Sequence, residues 1–155
     1  MAYTDIITLS DAKIYLRIDD TLTEDDNNIT RMIKGAFLFI EEFTNVRFVA
    51  TDRKYLFNNG RTFVYDYPIN SEVDVPTDVK TKEMTMWSMY TTCTDSVAMQ
   101  LNVGYVNPTS VPQDLIDVAY ELIEISYYGK DTGKTNADLS DYSMAVLYQN
   151  KRFLL

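Results

Sequence analysis

TEDDNNITRMIKGAFLFIEEFT, residues 23–44, sets apolar side chains at Ile29, Met32, Ile33, Ala36, Phe37, Ile40 and Phe43. Those intervals follow the 3.6-residue helical turn, so one stripe of the helix faces a core. Glu24, Asp25 and Asp26 fall in its first turn. There the positive end of the helix dipole favours carboxylates. A helix of this length needs partners for its apolar stripe, and the flanking sequence supplies them.

Upstream, Thr8-Leu9-Ser10-Asp11 has the spacing of a capping box. It predicts a short helix over residues 8–16 that buries Leu9, Ala12, Ile14 and Leu16, followed by a polar turn at Asp19 and Asp20. Downstream, from residue 46, the period changes to two. Asn59-Gly60 between aromatic-rich runs predicts a hairpin, because a type I′ turn needs positive φ at both central residues. That hairpin would set Leu56 opposite Phe63, Tyr55 opposite Val64 and Arg53 opposite Asp66. Val97, Met99, Leu101, Val103 and Tyr105 alternate with small or polar residues and predict a half-buried strand. Its expected partner carries Met84, Met86, Trp87 and Met89, and residues 68–82 between the two pairs read as turn-rich. Pro112 fits a helix start, and the run through Leu115, Val118, Ala119, Leu122 and Ile125 predicts a central helix over 112–128 that stops at Gly129. A last helix is expected over about 138–149. The fold class is therefore α+β: about four helices, with a long antiparallel β-hairpin insertion between the second and third. Residues 1–155 read as one domain, with residues 46–106 as a β-rich insertion within it.

Composition removes several function classes. The chain has 155 residues, no histidine and a formal charge of −9. Without histidine there is no Ser–His–Asp triad and no His-ligated zinc. An acidic chain is a poor electrostatic binder of nucleic acid or of an anionic membrane. Cys93 is the single cysteine, so no intrachain disulfide forms, and a reducing compartment is expected. No signal peptide is visible and no apolar run reaches the ~18 residues of a membrane span.

Two clusters mimic ligand sites. Asp19, Asp20, Glu24, Asp25 and Asp26 are acidic enough for a cation, but Glu24 stands where an EF-hand loop requires glycine. Gly129-Lys130-Asp131-Thr132-Gly133-Lys134-Thr135 has one residue too few for a phosphate-binding loop and follows a helix instead of a strand. Capping and an ordinary helix connection are the simpler readings, and no cofactor or metal is expected. Asp114, Asp117, Glu121 and Glu124 share one helical face with no intervening cation. Such a stripe is either a solvated face or a surface that repels polyanion or meets a basic partner.

The order of elements resembles the head–tail connector (adaptor) proteins of tailed bacteriophages. The resemblance is carried by ITLSDAKIYLRIDD at residues 7–20, by TEDDNNITRMIKGAFLFIEEFTN at 23–45, and by LNVGYVNPTSVPQDLIDVAYELIEISYYG at 101–129. It implies a non-enzymatic virion protein of the neck, assembled in the host cytoplasm. It further implies a ring, twelvefold in the family, that docks below the portal protein, extends the DNA channel and receives stopper or tail proteins. DNA would pass without specific binding, and no membrane is involved. On this reading Tyr148, Lys151, Arg152, Phe153, Leu154 and Leu155 form the portal interface. Asp114, Asp117, Glu121 and Glu124 face the channel. Tyr55, Phe57, Asn59, Gly60, Phe63 and Tyr65 meet a neighbouring subunit or the next ring. The alternatives are a small cation- or nucleotide-binding enzyme, or a tail or baseplate interaction module.

Overall fold

Four α-helices and six strands are present among the described residues: α1 (Leu9–Tyr15), α2 (Asp26–Thr44), β1 (Thr51–Phe57), β2 (Gly60–Phe63), β3 (Ile69–Asp74), β4 (Lys80–Met84), β5 (Ser88–Thr92), β6 (Val97–Val103), α3 (Gln113–Thr132) and α4 (Asp141–Asn150). The structure is a computed structural model and describes residues 1–77, 79–86 and 88–151. Trp87, Arg152, Phe153, Leu154 and Leu155 lie outside the described residues. The fold class is α+β, with the strands between the second and third helices, as the change of period implies. Two compact units divide the chain: a helical one of Met1–Thr44 and Asn107–Lys151, and a β one of Asn45–Val106.

In the helical unit, α1 begins at the expected capping box. Thr8 Oγ1 accepts from Asp11 N at 3.1 Å, and Asp11 Oδ2 accepts from Thr8 N at 3.3 Å. Ala12, Lys13 and Leu16 are buried, whereas Ile14 is 67% exposed and not in the core. Two residues is about 200° of helical rotation, which turns Ile14 away from the side that Ala12 buries. Lys13 fills that side, and its ammonium reaches the carbonyls of Leu22 at 2.7 Å and Asp20 at 3.3 Å, and Asp26 Oδ1 at 2.5 Å. Helix α2 therefore starts at Asp26, three residues later than expected, because residues 19–25 form a turn around that ammonium. Its Ile29, Ile33, Ala36, Phe37 and Ile40 are buried, as are Leu115, Val118, Ala119, Leu122 and Ile123 of α3. Pro112 is the N-cap of α3 and not its first residue. Gly129 does not end the helix. It is glycine because a Cβ there would lie 2.6 Å from the Lys134 carbonyl oxygen. The chain turns back at Gly133, with φ +72°, one helical turn later.

In the β unit the strands form two three-stranded antiparallel sheets, ordered β1-β6-β3 and β2-β5-β4. The strands on either side of Asn59-Gly60 thus belong to different sheets. Tyr55 pairs with Met99, Leu56 with Ala98, and Phe63 with Ser88. The expected register across Asn59-Gly60 is not formed, because both faces of that segment carry large apolar groups. Crossing between sheets lets Phe57, Met99, Leu101 and Val103 share one core with Met89 of the other sheet. Strands β3 and β4 arise in the segment read as turn-rich, where register shifts blur the alternation. Gly104 takes φ +110°, and a Cβ there would lie 2.7 Å from Val49 O, so only glycine fits.

The β unit also buries one carboxylate. Asp66 is 5% exposed and accepts from Arg47 Nε, from Arg53 Nη1 at 3.3 Å and from the Tyr55 hydroxyl at 2.6 Å. The Arg53–Asp66 pair read from sequence exists, but it does not bridge a single hairpin. Burial, reinforced by the Asp66 carboxylate, pushes the Tyr55 phenol well above its usual range. Removing the anion takes away the buried carboxylate that Arg47, Arg53 and Tyr55 share. Asp66→Ala is expected to cost about 3–5 kcal/mol and Tyr55→Phe about 1 kcal/mol, measured by urea unfolding.

Candidate functional site

The acidic stripe of α3 is not uniform. Asp117 and Glu124 are exposed, while Asp114 and Glu121 are partly covered. Asp114 Oδ1 accepts from Leu115 N at 2.9 Å in the first turn. Asp117 accepts from Gln113 Nε2 at 3.0 Å. Glu121 is committed to α4: it accepts from Ser140 N at 2.6 Å, from Ser140 Oγ at 2.8 Å and from Ser143 Oγ. Ser140 in turn caps α4 by accepting from Ser143 N at 3.2 Å. Burial raises the Glu121 carboxyl, but the hydrogen bonds from Ser143 and Ser140 outweigh it, so the group titrates below its ordinary 4.5.

Glu124 accepts from the Tyr15 hydroxyl at 3.2 Å, and the Tyr15 ring stacks on Tyr120 at 4.8 Å between centroids. Burial and the adjoining Glu124 raise the Tyr15 phenol. Tyr128 donates to the Leu16 carbonyl at 2.8 Å. Two open hollows meet along this face. One of about 510 Å³ is lined by Tyr15, Leu16, Arg17, Glu124 and Tyr128. The other, of about 220 Å³, is lined by residues including Glu121, Glu124, Tyr128 and Lys134. They present carboxylates and phenols beside the cations Arg17 and Lys134.

The two ligand-like clusters have structural roles. Asp19 Oδ1 accepts from Thr21 N at 2.9 Å and Thr21 Oγ1 at 2.7 Å. Asp25 accepts from the Tyr127 hydroxyl at 2.9 Å, and Asp26 pairs with Lys13. Among the described residues no three His, Cys, Asp or Glu side chains converge on a point. Gly129 to Thr132 are helical, which a phosphate-wrapping loop cannot be.

At the end of α4, Tyr148 packs edge-on against Phe43 at 5.4 Å between centroids, and Lys151 Nζ lies 4.5 Å above the same ring. Tyr148 stays largely exposed. The rest of the portal-interface set, Arg152 to Leu155, lies outside the described residues. Of the six residues assigned to a neighbouring subunit, Asn59, Phe63 and Tyr65 are exposed and Gly60 is half-buried. Phe57 is fully buried in the β core, so it is no contact residue, and Tyr55 is half-buried with its hydroxyl on Asp66. Phe63 lies beside an exposed ion pair, Arg61 to Glu83 at 2.7 Å, across the sheet from β2 to β4. Sequence reading missed the serine partners of Glu121 and the exposed side of α2. The second was accessible: Arg31, Lys34 and Leu38 lie opposite the buried stripe.

Comparison with known proteins adds an independent line. Residues 6–149 match the family model described as phage gp6-like head-tail connector protein. Among curated proteins none matches. Solved structures with the same fold include a chain in the neck of an empty gene transfer agent (GTA) particle computed with C6 symmetry. It has a TM-score of 0.71 and 12% identity, covering 100% of this chain and 94% of that one. A chain in the virion of a native gene transfer agent particle has a TM-score of 0.71 at 12% identity, covering 100% and 93%. A chain in the neck of a native GTA particle computed with C12 symmetry has a TM-score of 0.65 at 10% identity, covering 100% and 94%.

Glu121 gives a pH test. A carboxylate whose folded value is lowered contributes stability above its unfolded value, near 4.5, and loses it as pH falls through the folded one. Glu121→Ala is expected to cost about 1–2 kcal/mol at pH 7 through loss of the hydrogen bonds it accepts from Ser140 and Ser143 at the start of α4. That difference should shrink as pH falls below 4.5 and through the lowered folded value, followed by chemical denaturation at stepped pH.

Proposed function

The chain belongs to the phage gp6-like head-tail connector family, and on that premise we propose that it works as one subunit of a ring in the neck of a tailed-phage virion. It is a structural head–tail connector. The observation that carries this is the family match, which spans both units of the chain. The shared fold of proteins from particle necks computed with C6 and C12 symmetry supports a twelvefold ring below the portal. The role asks for rigid surfaces and no chemistry, which suits carboxylates and phenols engaged in capping and packing. Enzymatic activity forms no part of this proposal.

Each surface has a proposed task. Tyr148 and Lys151, held against the Phe43 ring, start the portal contact, and Arg152 to Leu155 extend it as a cationic and apolar tail. Asp117 and Glu124 carry the negative wall of the channel, where fixed anions keep DNA from adhering. Asp114 and Glu121 add charge there while serving helix ends. Asn59, Gly60, Phe63 and Tyr65 present the β unit to a neighbouring subunit or to the stopper or tail proteins. Assembly takes place in the host cytoplasm.

The portal assignment is checked by mixing the purified chain with portal rings and measuring co-sedimentation. Ending the chain at Asn150 should reduce binding at least tenfold, and unchanged binding would refute the tail's role. For the channel, Asp117→Lys with Glu124→Lys is the suitable pair, since reversing Glu121 would break its hydrogen bonds to Ser140 and Ser143. Necks should form with this variant, and genome ejection in vitro should slow several-fold. Ejection at the normal rate would remove the stripe from the channel.

A further inference from the structure

The α1–α2 turn is built more rigidly than an exposed loop requires. A lysine that is 3% exposed spends its ammonium on the turn's carbonyls and on Asp26. Asp19 closes the turn again through Thr21. Yet the turn's own side chains face outward. Leu22 is 57% exposed, with Asp19, Asp20 and Glu24, all exposed, around it in sequence. An exposed leucine on a preorganised, anionic turn is suited to insertion into a partner, because little ordering entropy remains to be lost.

The outer face of α2 is its complement. Arg31, Lys34 and Leu38 are exposed there, with Leu38 at 43%. Neither Arg31 nor Lys34 has an acidic partner among the described residues. Gly35 lies between them with nothing within 4 Å of where its Cβ would be. An exposed mid-helix glycine weakens the helix relative to alanine, and no contact in the described chain requires it here. It leaves room for another backbone to approach.

We propose that these two surfaces meet between copies: the Leu22 turn of one subunit docks on the Arg31–Lys34–Gly35–Leu38 face of the next. Leu22 packs against Leu38 beside Gly35, and Asp20 and Glu24 face Arg31 and Lys34. The occupant is a second copy because its charge is opposite and its apolar knob finds an apolar counterpart in the same chain. The surfaces do not overlap. On α2 the face runs from Arg31, five residues and roughly 7.5 Å along the axis beyond Asp26, to Leu38, twelve residues and roughly 18 Å beyond it, and it shares no residue with the turn, so a subunit can use both at once. Two different surfaces per subunit make a heterologous contact, the kind that forms a ring when the rotation between subunits closes. This inference rests on the connector reading and specifies one contact within that ring.

The test is covalent capture in assembled particles. Leu22→Cys with Leu38→Cys, in a Cys93→Ser background, should on oxidation of the necks give a ladder of multimers ending in a closed circular species. Necks that contain the chain but give no bridged species, or dimers only, would overturn this contact and leave the connector role standing. Necks that lack the wild-type chain would overturn both. A second arm guards against misfolding. Gly35→Gln should raise the melting temperature of the purified chain by about 2–4 °C while lowering incorporation into necks at least tenfold. Normal incorporation of that variant would also refute the contact. Arg31→Glu with Lys34→Glu should block incorporation, and adding Asp20→Lys with Glu24→Lys to the same chain should restore it. A failure to restore would show that the two sets do not face each other.

Discussion

The buried ammonium of Lys13 is the interaction on which the helical unit depends. A charge removed from water is costly unless oxygen atoms replace its hydration. Here two carbonyls and one carboxylate do so, all from the thirteen residues after it. The consequence is geometric. The turn must close around Nζ, which delays the start of α2 to Asp26 and fixes its direction of entry. Helix α2 is then the element against which α1, α3 and α4 all pack. A methionine at position 13 would satisfy packing alone and leave the turn free to choose another path.

The β unit solves a matching problem with the opposite sign. Its two sheets share an apolar core, but Arg47 and Arg53 must be accommodated beside it. Asp66 supplies the counter-charge and the Tyr55 hydroxyl fills its remaining hydrogen-bonding capacity. The cluster ties β1 to the segment after β2, although the two strands lie in different sheets. Charge pairing therefore does here what a hairpin ladder would otherwise do. It joins neighbours in sequence that share no backbone hydrogen bonds as strands.

Legibility in the sequence followed the range of the interactions. The helices were readable because a capping box and a 3.6-residue stripe are local. Their ends were less so: the Lys134 carbonyl over Gly129 and the Ser140–Glu121 bonds are contacts that no window of sequence contains. The β unit was readable as strands but not as topology. Asn59-Gly60 is a strong local turn signal, and it was overridden by burial of Phe57 and Met89 in one core. The same limit applies to sites. A stripe of four carboxylates was visible at once, but that Glu121 accepts from Ser140 and Ser143 at the start of α4 while Asp117 stays in water depends on a helix twenty residues away. Ile14 was misjudged for a simpler reason, since an apolar residue opposite the buried side of a short helix is exposed whatever its hydropathy.

Charge gives the surfaces their meaning. At −9, copies of this chain repel one another at long range, so a ring of them needs local contacts where the sign reverses. Four of the fourteen cations, Lys13, Arg47, Arg53 and Arg61, are already bound to Asp26, Asp66 and Glu83 within the subunit. Arg31 and Lys34 stand together, exposed, on one face of α2. Consuming lysine and arginine inside the fold thus has an effect outside it. On a surface of net negative charge, two neighbouring cations on one helix face are where an acidic segment of another subunit would sit. The net negative charge elsewhere would disfavour other approaches, and that repulsion would make the proposed contact selective.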